Sequence, residues 1–444
     1  MIKSRKGHQL YKKSSRKIRT RKGRQLHKKN RRKIRTQKGG RLVGQGSYGC
    51  VYKEPPLRCS TQTESETKYD IDRSIVTKLM EFSEARDEYQ FGEIINNVYP
   101  DQTTIITPLN YPCPPSETQA EDNKIEECRL GEGNNSRIKN KTILKYNDGG
   151  ENLHKFTIES MEIMEIIMFL DGYLKLMKGV SEFHKRGIFH CDIHPANIVA
   201  LRKDGSIEIR LIDIGFVQNV YYESDENCYI PDKILNGNYV YWPFSNHYMF
   251  DNSKDQLEKH LKEYFTNLEK VLWYAPEDLF SHEKINKLNA YFIENNISKL
   301  SEINKIVRYR LLLGASDMYG LGLTLARVFH RLNGNDNDKN YKYYKFYNVI
   351  RNLMNPDNLM NPENLMNPDN LMNPDKSNLA SFNKCISDYT DALTSLKNSL
   401  GITSGTASRV VGAMPINNKT RKSNKWRFPL WRLPKRGLPL GSLP

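Results

Sequence analysis

The sequence predicts an α+β fold, with a smaller β-rich amino-terminal part, a larger helical carboxy-terminal part and basic tails at both ends. β-Favouring residues dominate two early stretches, residues 41–53 and 74–79. Further along, apolar residues recur at helical spacing, at Leu170, Leu174, Met177 and Val180. A length of 444 residues accommodates two or three domains or one large two-lobed domain.

The net charge of +17 is unevenly distributed. Residues 1–41 contain 19 Lys and Arg and no acidic residue, and residues 416–444 contain 8 and again none. The remainder, residues 42–415, holds 41 basic and 51 acidic residues, a net charge of −10. An acidic body with two basic ends is therefore expected, and only the ends would favour an anionic partner.

The amino-terminal tail contains a tandem repeat, RKGHQLYKKSSRKIRT at residues 5–20 and RKGRQLHKKNRRKIRT at residues 21–36. Strong self-repulsion and few apolar residues cannot sustain a core. Residues 1–40 are therefore predicted to be a disordered tail, and residues 401–444 a flexible basic tail. Both are candidates for contact with nucleic acid or with an acidic partner.

The composition also indicates in which cellular compartment the protein is expected. No run of 18 apolar residues occurs, which predicts no transmembrane segment, and the basic amino terminus lacks the apolar stretch of a secretory signal. The seven cysteines include no C-x-x-C pair. We therefore expect an intracellular, non-secreted monomer with reduced cysteines.

A glycine-rich stretch, RLVGQGSYGCVYK, occupies residues 41–53. Glycine lets the backbone approach phosphates closely. The G-x-G-x-x-G pattern alone also fits a dinucleotide-binding turn, but that turn opens a helix, whereas Cys50, Val51 and Tyr52 continue as a strand. The stretch is therefore predicted to be a phosphate-covering hairpin that carries Gly44, Gly46, Gly49 and Val51.

A second motif bears the chemistry. Residues 188–199 read IFHCDIHPANIV, and LIDIG follows at residues 211–215. Phosphoryl transfer needs one carboxylate to orient the attacking hydroxyl, and a second carboxylate with an amide to hold Mg²⁺ on the phosphates. Asp192, Asn197 and Asp213 supply these groups.

Residues 40–400 resemble a eukaryotic-type serine/threonine protein kinase, whose catalytic loop H-R-D-x-x-x-x-N is followed by D-F-G. The resemblance implies a bilobal protein-kinase-like fold, with an N-lobe at residues 41–147 and a C-lobe at residues 148–400. It implies ATP and Mg²⁺ as cofactors and transfer of the γ-phosphate to serine or threonine of protein substrates. Asp192 would then be the catalytic base.

The same resemblance assigns further roles. Asn197 and Asp213 become the Mg²⁺ ligands, and Lys78, in SIVTKL at residues 74–79, resembles the V-A-I-K lysine that holds the α- and β-phosphates. The helix predicted at residues 83–98 would supply the glutamate that pairs with Lys78. Helical spacing favours Glu88, with Glu93 as the rival.

Residues 101–148 are expected to form two strands around a polar insertion near residues 116–137. The second strand resembles the segment that leads into a kinase hinge. By that resemblance Leu144 is the gatekeeper, and the hinge, from Lys145 to Asn147, would hydrogen-bond adenine through its backbone.

Three departures from the family pattern carry consequences. Cys191 replaces the arginine that receives an activation-loop phosphate, which predicts a kinase not switched in that way. His194 replaces the lysine that steadies the transferred phosphate, and Ile214 replaces the D-F-G phenylalanine. Because H-P-x-N also occurs in aminoglycoside and choline kinases, a small-molecule kinase is an alternative, and a pseudokinase scaffold is another.

The carboxy-terminal half is longer than the family pattern. LGASDMYGLGLTL, residues 313–325, resembles the buried C-lobe helix, whose Asp317 is expected to bind the catalytic-loop backbone. An insertion is therefore predicted between residues 218 and 312, and the activation segment would end at residues 239–244 or at residues 274–277.

The last part of this half is predicted to be helical around a repeat. A helix is expected near residues 346–357 and a closing helix at residues 377–400. Four copies of NLMNPD, one with Glu for Asp, form an expected exposed loop at residues 352–375. The polar insertions and this repeat resemble the divergent, mimivirus-like kinases of giant nucleocytoplasmic DNA viruses, which implies host cytoplasm, nucleus or virion.

Overall fold

The computed structural model describes residues 41–46, 49–60, 74–100, 103–116, 128, 141–220, 241–243, 305–333, 343–354 and 378–402. The predictions for residues 1–40, for most of the insertion between 218 and 312, for residues 355–375 and for nearly all of the carboxy-terminal tail lie outside this set. The chain divides into two units, Met1–Leu400 and Gly401–Pro444, and the elements below belong to the first.

The amino-terminal part is an antiparallel sheet in chain order. Its strands are β1 (Arg41–Gln45), β2 (Cys50–Lys53), β3 (Ile75–Glu81) and β4 (Lys141–Asn147). In β2, Cys50 and Tyr52 are buried and alternate with half-buried neighbours, as a strand with one covered face requires. Helix α1 (Phe82–Val98) follows β3 directly and packs against β3 and β4. The α+β class predicted from the sequence is confirmed.

Short strands come next. The pairs are β5 (Glu151–Asn152) with β7 (Ile198–Lys203), β7 with β8 (Ser206–Leu211), and β6 (Ile188–Phe189) with β9 (Gln218–Asn219), all antiparallel. The motif around Asp192 connects β6 to β7, and Asp213 follows β8. Both motifs therefore lie at strand ends, where the backbone is free to leave the sheet pattern.

Helices form the rest of the described chain: α2 (Ile163–Lys185), α3 (Lys305–Asn333), α4 (Tyr344–Met354) and α5 (Asn378–Ser399). Helix α2 packs on β8, and α5 packs on both α2 and α4. Phe156, Phe169, Tyr173 and Tyr389 stack in sequence with centroid separations of 6.2, 6.2 and 6.3 Å. These rings join α2 and α5 through buried aromatic area, which is the largest stabilising contribution per residue in such a core.

One expected strand is absent from the described residues. Residues 103–116 make only single bridges, from Ile105 to Leu211, from Cys113 to Ile143 and from Pro115 to Cys59, in place of the first strand predicted for residues 101–148. Four prolines occur between residues 108 and 115, and proline has no N–H to contribute to a ladder. The expectation of a continuous strand here was wrong.

The cysteines also differ from expectation. Two disulfides are present, Cys50–Cys128 and Cys59–Cys113, with Cα atoms 6.0 and 5.6 Å apart. Cys191 and Cys385 are free thiols, and both are buried. The prediction of uniformly reduced cysteines was therefore wrong, because spacing along the chain does not reveal which thiols folding brings together.

Across the helices of the described chain, none combines the length and apolar character that crossing a membrane would require.

Candidate active site

Lys78 is bonded to two acidic residues at the centre of the amino-terminal sheet. Its Nζ lies 2.8 Å from Oε2 of Glu88 on α1 and 3.3 Å from Oδ1 of Asp213. The other oxygen of Glu88 accepts a 2.8 Å hydrogen bond from the hydroxyl of Tyr146. Of the two glutamates considered for this pairing, the structure brings Glu88 to Lys78, whereas Glu93 interacts with Tyr89.

Lys78 and Asp213 favour the charged form of each other. Burial by itself lowers the pKa of Lys78, but Glu88 and Asp213 outweigh it and raise that pKa above its usual value. Burial raises the pKa of Asp213, but Lys78 outweighs it, and the net pKa is lowered. At neutral pH Lys78 is therefore an ammonium group paired with the carboxylate of Asp213, whose side chain is 33% exposed.

The glycine-rich hairpin passes close over this lysine. A Cβ at Gly49 would lie 3.0 Å from Cγ and Cε of Lys78 and 3.1 Å from the carbonyl oxygen of Leu79. The N–H of Gly46 donates to the carbonyl of Gly49 at 2.9 Å and closes the turn. Gly44 pairs with Val51 across the hairpin, and Val51 pairs with Lys78. Gly49 and Val51 of the predicted hairpin therefore lie next to Lys78, whereas Gly44 and Gly46 make their contacts within the hairpin.

The loop between β6 and β7 brings Asp192 and Asn197 together. Nδ2 of Asn197 donates to Oδ2 of Asp192 at 2.6 Å and to its carbonyl at 3.1 Å. With its nitrogen so placed, the amide presents Oδ1 on the opposite side. The carbonyl of Asn197 accepts the N–H of Ile212 at 2.9 Å, so this loop is joined to the segment that carries Asp213.

His190 braces the same loop as a neutral ring that both accepts and donates a hydrogen bond. The N–H of Asp192 donates to Nδ1 of His190 at 3.3 Å, and Nε2 of His190 faces the carbonyl of Ile212 at 3.2 Å. Burial lowers the pKa of His190 against the opposing effects of Asp317 and Asp213. The neutral tautomer with its proton on Nε2 satisfies both contacts.

His194 is placed beside the candidate base. Its Nδ1 accepts the N–H of Ala196 at 3.1 Å, so its proton resides on Nε2, which lies 3.5 Å from Oδ1 of Asp192. Burial, together with His154 and His190, lowers the pKa of His194 to about 3 although Asp213 opposes the shift. At neutral pH the ring is therefore an uncharged N–H donor next to Asp192.

The buried carboxylate of Asp317, on helix α3, holds the loop between β6 and β7 through its backbone. Asp317 accepts the N–H of His190 and the N–H of Cys191, both at 2.8 Å, and contacts Nε2 of His184 at 3.0 Å. The expected contact between Asp317 and the loop backbone is thus present. Gly320, one turn further on, lies so close to the loop that a Cβ would be 2.3 Å from the carbonyl oxygen of Ile193.

Strained backbone marks the two acidic positions. Cys191, directly before Asp192, has φ of +63°, and Asp213 itself has φ of +67°. Residues other than glycine pay about 1–3 kcal/mol for such conformations, and they persist only where surrounding contacts hold them. Such strain is concentrated at functional sites, which supports a functional role for both segments.

Residues 241–243 contact the loop between β6 and β7. Nε1 of Trp242 donates to the carbonyl of Cys191 at 2.7 Å, and the ring of Tyr241 stacks on His194 with centroids 4.8 Å apart. Of the two proposed ends of the activation segment, this contact involves the one at residues 239–244. Residues 274–277 lie outside the described part of the chain.

The candidate hinge is the end of strand β4. The N–H of Lys145 donates to Oδ1 of Asn110 at 2.7 Å, and its carbonyl accepts the N–H of Leu109 at 2.8 Å. The N–H and the carbonyl of Lys145 are therefore both hydrogen-bonded within the fold. A bound adenine would need backbone hydrogen-bond partners later in the chain, from Asn147 onward. The side chain of Leu144 is fully buried in the core. The neighbouring Tyr146 donates its hydroxyl to Glu88.

Tyr146 was missed as a site residue, although a signal for it existed. In a strand, residues two apart share a face, and β4 places Leu144 opposite Lys78 and Tyr146 opposite Val76. The side chain of Tyr146 therefore had to lie on the face of Lys78. A reading of residues 145–147 as a loop concealed that periodicity.

The donor set fits a magnesium–nucleotide complex. Within the described ranges, no group of three or more His, Cys, Asp and Glu side chains is arranged to hold a metal. Mg²⁺ at phosphate-transfer sites takes only one or two protein ligands, with water and phosphate oxygens completing its shell. An ionised Asp213 and the Oδ1 of Asn197 match that requirement, and the hairpin over Lys78 leaves no side chain at Gly49 to obstruct phosphates.

Comparison with known proteins relates part of the chain to a kinase. The chain is 25% identical over 111 residues to myosin light chain kinase family member 4 of Homo sapiens. That match covers 23% of this chain and 27% of the human protein, so it spans about a quarter of its relative. No protein-family model matches the chain.

Proposed function

We propose that the chain is an ATP-dependent protein kinase of bilobal fold, which transfers the γ-phosphate of ATP to serine or threonine hydroxyls of protein substrates. The observation that carries this proposal is the joined set of Lys78, Glu88 and Asp213, connected through Ile212 to Asn197 and Asp192. The partial similarity to a kinase supports the same chemistry.

Each residue has a role that its geometry permits. Lys78, fixed by Glu88, binds phosphate oxygens of the nucleotide under the glycine hairpin, while Asp213 and Asn197 would hold Mg²⁺. The bound ion supplies neutralisation of charge on the phosphate oxygens. Asp192 orients the acceptor hydroxyl and takes its proton as the oxygen–phosphorus bond forms and the bond to the β-phosphate oxygen breaks. Catalysis then consists of positioning and electrostatic stabilisation.

His194 places an uncharged imidazole N–H beside Asp192, where the family has a lysine. Its Nε2–H faces Oδ1 of Asp192, while Asn197 holds Oδ2 of the same carboxylate. Both oxygens of the base therefore have a donor nearby, and this arrangement orients the carboxylate toward an incoming hydroxyl. The electrostatic contribution of a lysine to the transferred phosphate is absent from this position.

A small-molecule kinase is the second candidate, favoured by His194 within the H-P-A-N sequence. The contact of residues 241–243 with the loop favours a protein kinase instead, since these residues belong to one of the two segments expected to end the activation segment of such a kinase. The two candidates share the nucleotide site and differ in the acceptor alone.

An acceptor panel separates the two candidates. The purified chain is incubated with Mg²⁺ and γ-labelled ATP, and label is followed into mixed basic proteins, an aminoglycoside and choline in parallel. The proposal expects label on phosphoserine and phosphothreonine of protein and none on the small molecules. Label confined to a small molecule would replace the protein-kinase assignment with the second candidate, and Lys78→Met serves as the control for contaminating kinases.

A further inference from the structure

Three hydrogen bonds hold the backbone on either side of Cys191, and two of them involve the peptide group between Cys191 and Asp192. The N–H of Cys191 donates to Oδ1 of Asp317 at 2.8 Å, and the N–H of Asp192 donates to Nδ1 of His190 at 3.3 Å. The remaining group, the carbonyl of Cys191, accepts the indole N–H of Trp242 at 2.7 Å. His190 belongs to the loop itself, whereas Trp242 and Asp317 lie 51 and 126 residues from Cys191 along the chain.

This peptide is also the strained one. Cys191 has φ of +63°, which any residue other than glycine adopts at a cost, so the loop relaxes toward negative φ unless its hydrogen bonds prevent it. Such relaxation rotates the peptide that carries Asp192 and turns the carboxylate away from its position. The indole bond, buried with Trp242 only 6% exposed, opposes that rotation at the carbonyl end.

The neighbouring residue reinforces the contact. Tyr241 stacks on the ring of His194, whose Nε2 lies 3.5 Å from Oδ1 of Asp192. Consecutive side chains of one segment thus contact the residue before Asp192 and the residue two after it. Both contacts are uncharged, so they do not require a modified residue to form.

We propose that Trp242 is a positioning residue, which holds the strained Cys191 peptide through its indole N–H and thereby orients Asp192 for catalysis. The proposal rests on the proposed function for its catalytic consequence, but its structural part stands on the hydrogen bond alone. The indole-to-carbonyl contact thus holds the loop in the conformation that the structure shows.

Trp242→Phe tests the proposal, because it removes the N–H and retains a buried aromatic ring. The first readout is hydrogen exchange of the amides in residues 188–197, measured by mass spectrometry on the full chain without nucleotide. Loss of one buried hydrogen bond should raise exchange in this stretch about tenfold. Tyr389→Phe is the matched control, since it removes a buried 3.0 Å bond to the carbonyl of Leu170 without touching the loop.

A second substitution distinguishes positioning from simple packing. Glycine adopts positive φ freely, so Cys191→Gly removes the strain that Trp242 opposes. In the Cys191→Gly background, Trp242→Phe should raise loop exchange by about threefold or less, instead of about tenfold. Equal effects in both backgrounds, or unchanged exchange in Trp242→Phe, would overturn the proposal.

The catalytic consequence is read from steady-state kinetics with ATP and a protein acceptor. Trp242→Phe should lower kcat about tenfold with little change in KM for ATP, because the nucleotide site is intact while the base is misoriented. An unchanged kcat beside raised exchange would refute the catalytic part. If the wild-type chain transfers no phosphate, the proposed function fails, and the exchange experiment still decides whether Trp242 holds the loop.

Discussion

At Lys78 a single ammonium group lies between two carboxylates, and one of them, Glu88, is held from its other side by Tyr146. The hydroxyl of Tyr146 fixes the rotamer of Glu88 and, through it, the direction of Nζ. Burial raises the pKa of Tyr146 well above its usual value, and Glu88 adds to this shift, so the hydroxyl remains a donor.

Tyr146→Phe tests this arrangement at the scale of one atom. Removal of the hydroxyl leaves Oε1 of Glu88 without its donor, and an unsatisfied buried acceptor costs about 1–3 kcal/mol of stability. We also expect KM for ATP to rise about threefold to tenfold, because Lys78 is less well positioned. Urea unfolding and steady-state kinetics measure the two effects. An ATP KM identical to that of the wild type would show that Lys78 does not depend on Tyr146.

His194 predicts a dependence of stability on pH. Its folded-state pKa of about 3 lies below the usual value of 6.5, so the unfolded chain binds a proton more readily than the folded chain. The stability from its neutral form is complete above pH 6.5 and is lost as the pH falls toward 3. The slope contributed by one histidine approaches about 1.4 kcal/mol per pH unit.

Unfolding free energies at pH 7.5, 6 and 5 for the wild type and His194→Gln measure this contribution. The stability lost on substitution should shrink as the pH falls, because the variant has no imidazole to protonate on unfolding. Curves that run parallel for the two proteins would contradict the burial of a neutral imidazole at this position.

At the scale of elements, α3 supports the catalytic loop by close approach as well as by the hydrogen bonds of Asp317. Gly320 permits that approach, since a Cβ there would lie 2.3 Å from the carbonyl oxygen of Ile193. That oxygen belongs to backbone, which does not move aside as a flexible side chain does. The helix and the loop therefore have to separate if any larger residue replaces this glycine.

Gly320→Ala should lower the free energy of unfolding by about 1–3 kcal/mol through overpacking. Displacement of Ile193 should also lower phosphate transfer, because Asp192 is its neighbour. Gly46→Ala is the matched control for stability, since a Cβ at Gly46 meets nothing within 4 Å. Thermal denaturation compares the two, and equal stability of both variants would refute the close contact.

Elements with local signals were accessible from the sequence. Strand β3 with Lys78 and helix α1 with Glu88 follow from residue type and helical spacing within fewer than twenty residues. The closing helix α5 was expected at residues 377–400 and spans Asn378–Ser399. In each of these elements, the local pattern of apolar residues predicts the same secondary structure that burial in the fold stabilises.

Contacts between distant residues were not accessible in this way. The acceptor of the hydrogen bond from Trp242 is the backbone carbonyl of Cys191. Because every residue has such a carbonyl, the residue type at position 191 does not predict this bond. The pairing of Cys50 with Cys128 crosses 78 residues, and seven cysteines allow many pairings. Alternation within β4 places Tyr146 on the same face as Leu144, but the register that brings this face to Lys78 is set by β3 and β4 together.

At the scale of the whole molecule, two disulfides constrain the amino-terminal part. Cys50–Cys128 ties strand β2, next to the glycine hairpin, to a residue 78 positions later, and Cys59–Cys113 closes a separation of 54 residues. Cross-links over such distances reduce the entropy of the unfolded chain and contribute about 2–4 kcal/mol each.

Reduction should therefore destabilise the chain. Dithiothreitol is expected to lower the free energy of unfolding of the wild type by several kcal/mol, about 2–4 for each bridge. A variant with serine at positions 50, 59, 113 and 128 is the control, because it should start less stable and show no response to the reductant. Equal stability of the wild type with and without dithiothreitol would mean that the bridges do not form in solution.

The central claim is that Asp192 accepts the proton of a hydroxyl that attacks the γ-phosphate of ATP. The most direct test is γ-phosphate transfer to a mixed protein substrate, with Mg²⁺, by the wild type and by Asp192→Asn. Loss of a general base lowers the rate by about 10²–10⁴-fold, and we predict a loss of that size while ATP still binds. Equal transfer by both proteins would contradict the claim, and so would a folded wild type that transfers nothing.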